Sequence, residues 1–400
     1  MVNSVYSQDT RDNQPLTPRE KGAQINFLLN YYEQDGDNAA VTGGIGTEEL
    51  DNIAPSIILN IPLDSTKTLV TNFGFDNYSS ASTDRIDNNV SSASSSDTRF
   101  YFNGTYSKEN LISRETFSYK AGISSEYDYL STSFGLGWAK ASKDGNRELG
   151  ISGMVYLDKW TLIYPAELRT GDELVDTDKR RSFNFSINIA QVINKKFQGS
   201  ISLEYVRQSG LLSTPFHRVY FNDGETNPIL KARGVERLPD SRTKIPVGIR
   251  LNYYLNDIVV LRGYYRYYND DFDIKAHTAS LEAPIKVGPF FTLYPFGRYH
   301  TQTAAKYFAP YGEHLPTEEL YTSDYDLSEV SSTSLGFGIK YSPLYGLLRF
   351  KGPFSKKTKR ITQLKSIDIR VADYKRFGNN PDGGGDLSAV SFSFDALFTF

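Results

Sequence analysis

Leu387 to Phe400 reads LSAVSFSFDALFTF. Val390, Phe392, Phe394, Ala396, Phe398 and Phe400 fall on one face. Ser391, Ser393, Asp395 and Thr399 fall on the other, with Leu397 the exception. A period of two marks a β-strand. An apolar face opposite a polar one also suits a half-buried strand of a soluble β-sandwich. Two features favour a membrane solution: the apolar face is almost all aromatic, and the chain ends on phenylalanine.

The same alternation recurs upstream. Ala23, Ile25, Phe27, Leu29 and Tyr31 oppose Gln24, Asn26, Asn30 and Tyr32. Further strands are expected at 52–62, 67–77, 98–107, 115–125, 127–140, 147–158, 182–193 and 197–208. The set is completed by 244–255, 258–269, 273–287, 290–303, 331–342, 366–375 and 387–400. About sixteen strands of roughly 10–14 residues match a bacterial outer-membrane barrel. Connection lengths agree. Those near 64, 110, 143, 195, 256 and 288 are short, and those at 34–51, 78–97, 159–181, 209–243 and 304–330 are long. A sandwich has no reason to segregate loop length by parity. Three connections break the rule: the short ones near 126 and 271, and the long basic one at 343–365. The expected fold is a single all-β, antiparallel up-and-down transmembrane barrel over 21–400, without a separate plug domain. Residues 1–20, polar with two prolines, are expected to form a flexible periplasmic arm.

With 28 Tyr, 25 Phe, 31 Gly and a net charge of -3, the composition suits such a barrel and argues against nucleic-acid binding. No cysteine is present, which excludes disulfides, iron–sulfur ligation and cysteine nucleophiles. Mean hydropathy is -0.44. That is compatible with a barrel, because lipid-facing and lumen-facing residues alternate. The start, MVNSVYSQDTRDNQ, lacks the charged and apolar regions of a signal peptide. Since a barrel must be exported, the native gene is expected to encode the export signal.

The terminal strand resembles the assembly signal of outer-membrane barrels, with Phe394, Phe398 and Phe400 as its aromatic anchors. Barrel-assembly machinery and outer-membrane lipid, including lipopolysaccharide, are the implied partners, and the C-terminus is expected in the periplasm. The basic segment 343–365, with no acid, is a candidate contact for a periplasmic partner.

Arg250, Arg262, Tyr264, Arg266 and Arg298, with Glu204 and Glu282 as counter-charges, are the candidate pore-lining residues. Arginine facing lipid at mid-membrane is costly, so these should face inward. They would form either an anion-attracting pore wall or an ion-paired ladder that fills the lumen. Among the four histidines, only His300 and His217 could serve a rim hydrolase. Catalysis is otherwise not expected. Asp35 and Asp37 sit in EQDGDN, which resembles the start of a calcium loop but lacks its closing glutamate. Solvated acidic loops are the plainer reading, there and at Asp324 and Asp326. Asp76 to Ser82 is similar to the acceptor motif of periplasmic flavin transferases, which would place covalent FMN on Ser82. A plain serine-rich loop produces the same string.

The blocks EQDGDNAAVTGGIGTEEL (33–50), DNYSSASTD (76–84), LSTPFHRVYF (212–221), ERLPDSRTK (236–244), YRYYNDDFDIKAHT (265–278), YPFGRYHTQTAAKYFAPYGEH (294–314) and YTSDYDLS (321–328) resemble one family. It is a Bacteroidota outer-membrane family known as a domain of unknown function. The resemblance implies a gene neighbourhood with an FMN transferase, a thioredoxin-like protein and a small lipoprotein, hence envelope redox work. It implies no active-site residue. The expected function is a non-enzymatic channel, conduit or binding scaffold. The alternative is a plugged surface component of a multiprotein outer-membrane complex. Distinctive blocks concentrated at loops place the function on the extracellular side.

Overall fold

The structure is a computed structural model that describes residues 22–81, 96–168, 176–222, 234–351 and 362–400. Sixteen antiparallel strands form one closed barrel. In chain order they are β1 (Gln24–Gly36), β2 (Glu49–Pro62), β3 (Lys67–Ala81), β4 (Ser96–Asn110), β5 (Glu115–Ser125), β6 (Tyr129–Ala141), β7 (Arg147–Leu162) and β8 (Asp176–Asn194). The second half comprises β9 (Phe197–Gly210), β10 (Ser241–Tyr254), β11 (Val260–Asp270), β12 (Lys275–Glu282), β13 (Phe291–Gln302), β14 (Val330–Tyr341), β15 (Thr362–Gly378) and β16 (Leu387–Thr399). A short segment, Ile285–Lys286, prolongs β12 against β13.

Closure is made by the aromatic C-terminal strand, Leu387–Thr399. β16 pairs with β1 from Gln24↔Thr399 to Gly36↔Leu387, and with β15 on its other side. Neither terminal strand is left as an edge. In lipid an unpaired backbone N–H or C=O costs several kcal/mol, so only a closed sheet spans.

The outer surface shows why the alternation has the sense it has. Phe134 and Leu136 on β6 are 59% and 63% exposed, and Phe73, Phe102, Phe117, Ile201, Leu335 and Phe337 are also exposed. Apolar side chains presented all round the barrel suit hydrocarbon as solvent and would be an aggregation hazard in water. Their strand neighbours face inward and are polar. Ser107 bonds Ser118 at 3.0 Å, and Ser152 bonds Ser186 at 2.8 Å, across adjacent strands of the inner wall.

The expected strands all occur, and several run further than the alternation alone suggested. β1 continues through Glu33-Gln34-Asp35-Gly36, so four of the six residues of the segment likened to a calcium loop are strand. β8 begins at Asp176, six residues before Ser182, where the clean apolar alternation starts. Ladder hydrogen bonds carry these strands past the membrane, where polar side chains are tolerated on both faces.

The connections sort to two ends. At the end where β1 begins and β16 finishes they are tight: Asp64 Oδ1 accepts from the Thr66 and Lys67 amides at 2.8 Å each, which fixes the β2–β3 turn. The exception is the β14–β15 connection. Leu348–Phe350 pairs with the start of β15, extending that hairpin beyond the barrel, and residues 352–361 of the basic stretch lie outside the described residues. The other end, called the loop end, holds the long connections. The arm at 1–20 and Ser82 also lie outside the described residues.

Leu136→Arg, on the lipid face near the middle of β6, is expected to cost about 2–4 kcal/mol of barrel stability. Ser200→Gln on the lumen face should cost less than about 1 kcal/mol. Urea unfolding in lipid vesicles measures both, and equal costs would contradict the assignment of faces.

Candidate functional site

Two regions gather chemistry: the inner wall and the loops at one mouth. The candidate pore residues lie on the strand face opposite exposed apolar neighbours such as Leu203, Ile249, Tyr265, Leu281 and Tyr299. Arg262 Nη1 bonds Glu282 Oε1 at 2.8 Å, and Arg370 Nη1 reaches Glu282 Oε2 at 2.8 Å from β15. Arg370 also pairs with Asp368 at 3.2 Å and lies 4.8 Å over the Tyr294 ring. This part is a ladder. Arg250 instead lies 4.9 Å over the Tyr264 ring. Arg266, Arg298 and Glu204 have no ion-pair partner among the described residues. Glu204 and Arg266 line a recess of about 430 Å³ on the inner wall, with Lys244, Arg180 and Asp158. Arg180 bonds Asp158 at 2.8 Å there. Arg262 is thus spent on a pair, while Arg266 and Arg298 have no carboxylate partner among the described residues. Arg370 and Asp158 lie inside expected strands and Arg180 just before one; what singles them out is their partners on other strands, Glu282 for Arg370 and each other for Arg180 and Asp158, which no local pattern shows.

The loops carry the most deeply buried residues. Val219 and Thr322 are fully buried and Tyr325 is 2% exposed, all within connections. A barrel with a hydrated lumen has no dry core in its wall, so apolar burial falls to the packed loops. Phe272, Ile274 and Ala305 form one such cluster, with Leu238, Phe308 and Leu327 against it.

Arg218 holds the junction. It lies in the β9–β10 connection and is buried. Its Nε donates to Glu167 Oε1 at 2.6 Å and its Nη2 to Glu167 Oε2 at 3.2 Å, a bidentate pair with the β7–β8 connection. Its Nη1 donates to the Val41 carbonyl at 2.8 Å in the β1–β2 connection. The β1–β2 and β9–β10 connections stand on opposite walls, half-way round the sixteen strands. They therefore meet across the mouth. Gly43 and Gly44 make the approach possible. Their φ angles are 86° and 90°, and a Cβ would lie 2.7 Å from the Tyr220 ring or 2.9 Å from the Ser323 carbonyl. The β13–β14 and β15–β16 connections join the same cap. Arg376 bonds Asp326 and the Gly385 carbonyl, Tyr325 bonds Asp382, and the Gly385 amide donates to Asn38 Oδ1 at 2.7 Å.

Within the cap, His217, Glu236 and Asp324 each present one ligand-type atom, all within 4.8 Å of one another. His217 Nδ1 lies 3.7 Å from Asp324 Oδ2 and 4.0 Å from Glu236 Oε1. That nitrogen is shielded from solvent and has no hydrogen-bond partner. Thr322 Oγ1 donates to Glu236 Oε1 at 2.6 Å, and the Thr214 amide donates to Glu236 Oε2 at 2.6 Å, so the carboxylate is fixed. Burial, then the charge of Asp326, push the Asp324 carboxyl up to about 7. Burial opposes an imidazolium at His217, but the adjacent carboxylates of Glu236 and Asp324 outweigh it and hold the ring above its usual range. Glu48, at the foot of the β1–β2 connection, is raised by burial and by Asp326.

The other histidines are spoken for. His277 Nδ1 bonds the Tyr265 hydroxyl at 2.7 Å, and His300 Nδ1 bonds Thr278 Oγ1 at 2.8 Å. His314 contacts Glu318 Oε2 at 2.6 Å and the Thr322 carbonyl at 2.9 Å. Neither His300 nor His217 pairs with a serine nucleophile among the described residues. Asp35 and Asp37 border a recess with Lys375, Arg376 and Asp386, but they join no cluster of metal-ligand type among the described residues.

A closed barrel with an apolar exterior and a polar inner wall is the architecture of an outer-membrane β-barrel. Residues 8–346 match the model of a family described as "Protein of unknown function (DUF3570)", and the chain belongs to that family. None of the curated proteins matches it. Among solved structures it is similar to a bacterial polysaccharide outer membrane secretin, at 10% identity over 94% of this chain and 98% of that one, with a TM-score of 0.46. It is also similar to the siderophore receptor PirA from Acinetobacter baumannii, at 10% identity and a TM-score of 0.44. That match covers 92% of this chain, which spans only 57% of the receptor's length. The outer membrane protein OpdK from Pseudomonas aeruginosa gives 7% identity over 94% and 99% of the two chains, with a TM-score of 0.41.

Arg218→Ala removes the bonds to Glu167 and to the Val41 carbonyl and should loosen the loops they join. Hydrogen exchange should accelerate across 211–222 and 37–48 while the barrel strands keep their protection. Unchanged exchange in both loops would show that Arg218 does not hold them together.

Proposed function

We propose that the protein is a non-enzymatic outer-membrane conduit whose cation-rich lumen is capped at its outward end by its own loops. The observation that carries this reading is the bond from Arg218 to the Val41 carbonyl, which joins connections rooted on opposite walls. Sixteen strands enclose a space wide enough for an aqueous channel. Arg250, Arg266 and Arg298, free of carboxylate partners among the described residues, favour anionic solutes. Long connections at one end and tight turns at the other support placing the loop end outside the cell and both termini in the periplasm. The basic β14–β15 connection then stands on the periplasmic side, where it suits an acidic partner. An envelope flavin-redox setting is supported by the family resemblance; an FMN mass increment lost in Ser82→Ala would carry it.

Planar-bilayer recording tests the conduit. Wild-type protein should give small, infrequent, anion-preferring openings, and Arg218→Ala should raise the open fraction at least about tenfold, the equivalent of about 1.4 kcal/mol. A wide, permanently open wild-type pore would overturn the cap. Silence in both proteins would favour a surface scaffold with a filled lumen.

A further inference from the structure

We infer that His217, Glu236 and Asp324 form a binding site for a first-row divalent cation of zinc type, joining the two arms of the β9–β10 connection to the β13–β14 connection. The donor set argues for this class. An imidazole nitrogen beside two carboxylates suits zinc and its neighbours, whereas calcium and magnesium take oxygen sets. Two carboxylates supply the charge that a divalent ion neutralises. Three protein ligands leave a further position for water.

The geometry is close to ready. A tetrahedral ion with bonds of about 2.1 Å sets its ligand atoms roughly 3.4 Å apart. His217 Nδ1 is already 3.7 Å from Asp324 Oδ2 and 4.0 Å from Glu236 Oε1. Closing the site therefore takes small side-chain shifts. His217 Nδ1 is shut away from solvent with no hydrogen-bond partner, a condition that costs free energy in a folded protein unless something else engages that nitrogen. By contrast His277, His300 and His314 each have a ring nitrogen engaged.

The outer shell is also in place. Thr322 Oγ1 donates to Glu236 Oε1 and accepts from the Asp324 amide at 3.1 Å, so one hydroxyl orients both carboxylate residues. Asp324 Oδ1 accepts from the Asp326 amide at 2.9 Å, which leaves Oδ2 facing the imidazole. The backbone keeps the two arms together: the Glu236 amide donates to the His217 carbonyl at 2.9 Å, and Arg218–Val219 pairs with Gly234–Val235. Arg376, the partner of the neighbouring Asp326, is committed to that carboxylate and to the Gly385 carbonyl. An ion here would latch the cap. That consequence rests on the capped-conduit reading, but the binding itself does not.

The test uses the full chain, folded in detergent, stripped with chelator and freed of lipopolysaccharide. Zinc titration by calorimetry should give one tight site per chain. His217→Ala should lose it, and Thr322→Val should weaken it about 10–100-fold, as expected for a residue that orients a ligand. His300→Ala should bind like wild type. Heat-modifiable migration reports whether each variant is folded. X-ray absorption of the zinc-loaded wild type gives a second readout that needs no variant: one imidazole and oxygen neighbours are expected. Equal affinity in wild type and His217→Ala, or zinc without an imidazole neighbour, overturns the site. If the zinc site is confirmed while the bilayer stays silent, only the latch and conduit reading fails.

Discussion

Pairing of the last strand with the first is the constraint on which everything else depends. A bilayer offers no water to an open sheet edge, so the barrel exists only when Leu387–Thr399 lies against Gln24–Gly36. Closure then fixes the faces. With a period of two, each strand must send one set of side chains to lipid and the other to the lumen, and a slip of one residue would reverse them. The arginines of β10, β11, β13 and β15 are gathered in the lumen by that rule and not by any attraction among themselves.

Closure also determines where a dry interior can form. On the inner wall the Arg262–Glu282 pair remains partly solvated, and the recess beside Arg266 and Glu204 is lined by polar side chains. The loop end is different. Connections rooted on opposite walls pack there into a small globular layer, with Tyr325, Phe272 and Val219 buried and Arg218 neutralised by Glu167. A buried pair of this kind contributes little net stability but fixes one arrangement, because separating it leaves a bare charge. The cap is thus better suited to holding a defined closed state than to adding stability.

The sequence carried the strands plainly, because alternation is a local signal. Ile187 against Asn188, or Phe394 against Ser393, needs no knowledge of a partner. Strand ends were less legible: β1 and β8 run past their apolar alternation because backbone pairing, not side-chain pattern, continues them. The inward set containing Arg262 and Arg266 was legible from the cost of arginine in lipid, but its pairing was not. Arg370 reaches Glu282 from three strands further on, β12 to β15, a proximity that no local pattern shows. The cap was least legible, since its contacts join residues far apart in sequence. One signal was present. His217, Glu236 and Asp324 each fall in a different loop block that carried the family resemblance, at 212–221, 236–244 and 321–328. Read singly they look like solvated loop residues, and only the fold shows that they converge.

The account's central claim is that loops from opposite walls meet over a polar lumen. The natural chain has no cysteine, so spin labels can be placed at will. Labels at Ile45→Cys in the β1–β2 connection and Asn222→Cys in the β9–β10 connection, with the protein in lipid vesicles, measure the separation directly by pulsed electron paramagnetic resonance. A single narrow distribution at short range is expected. A broad distribution reaching towards the full width of the barrel would contradict it, and with it the capped lumen.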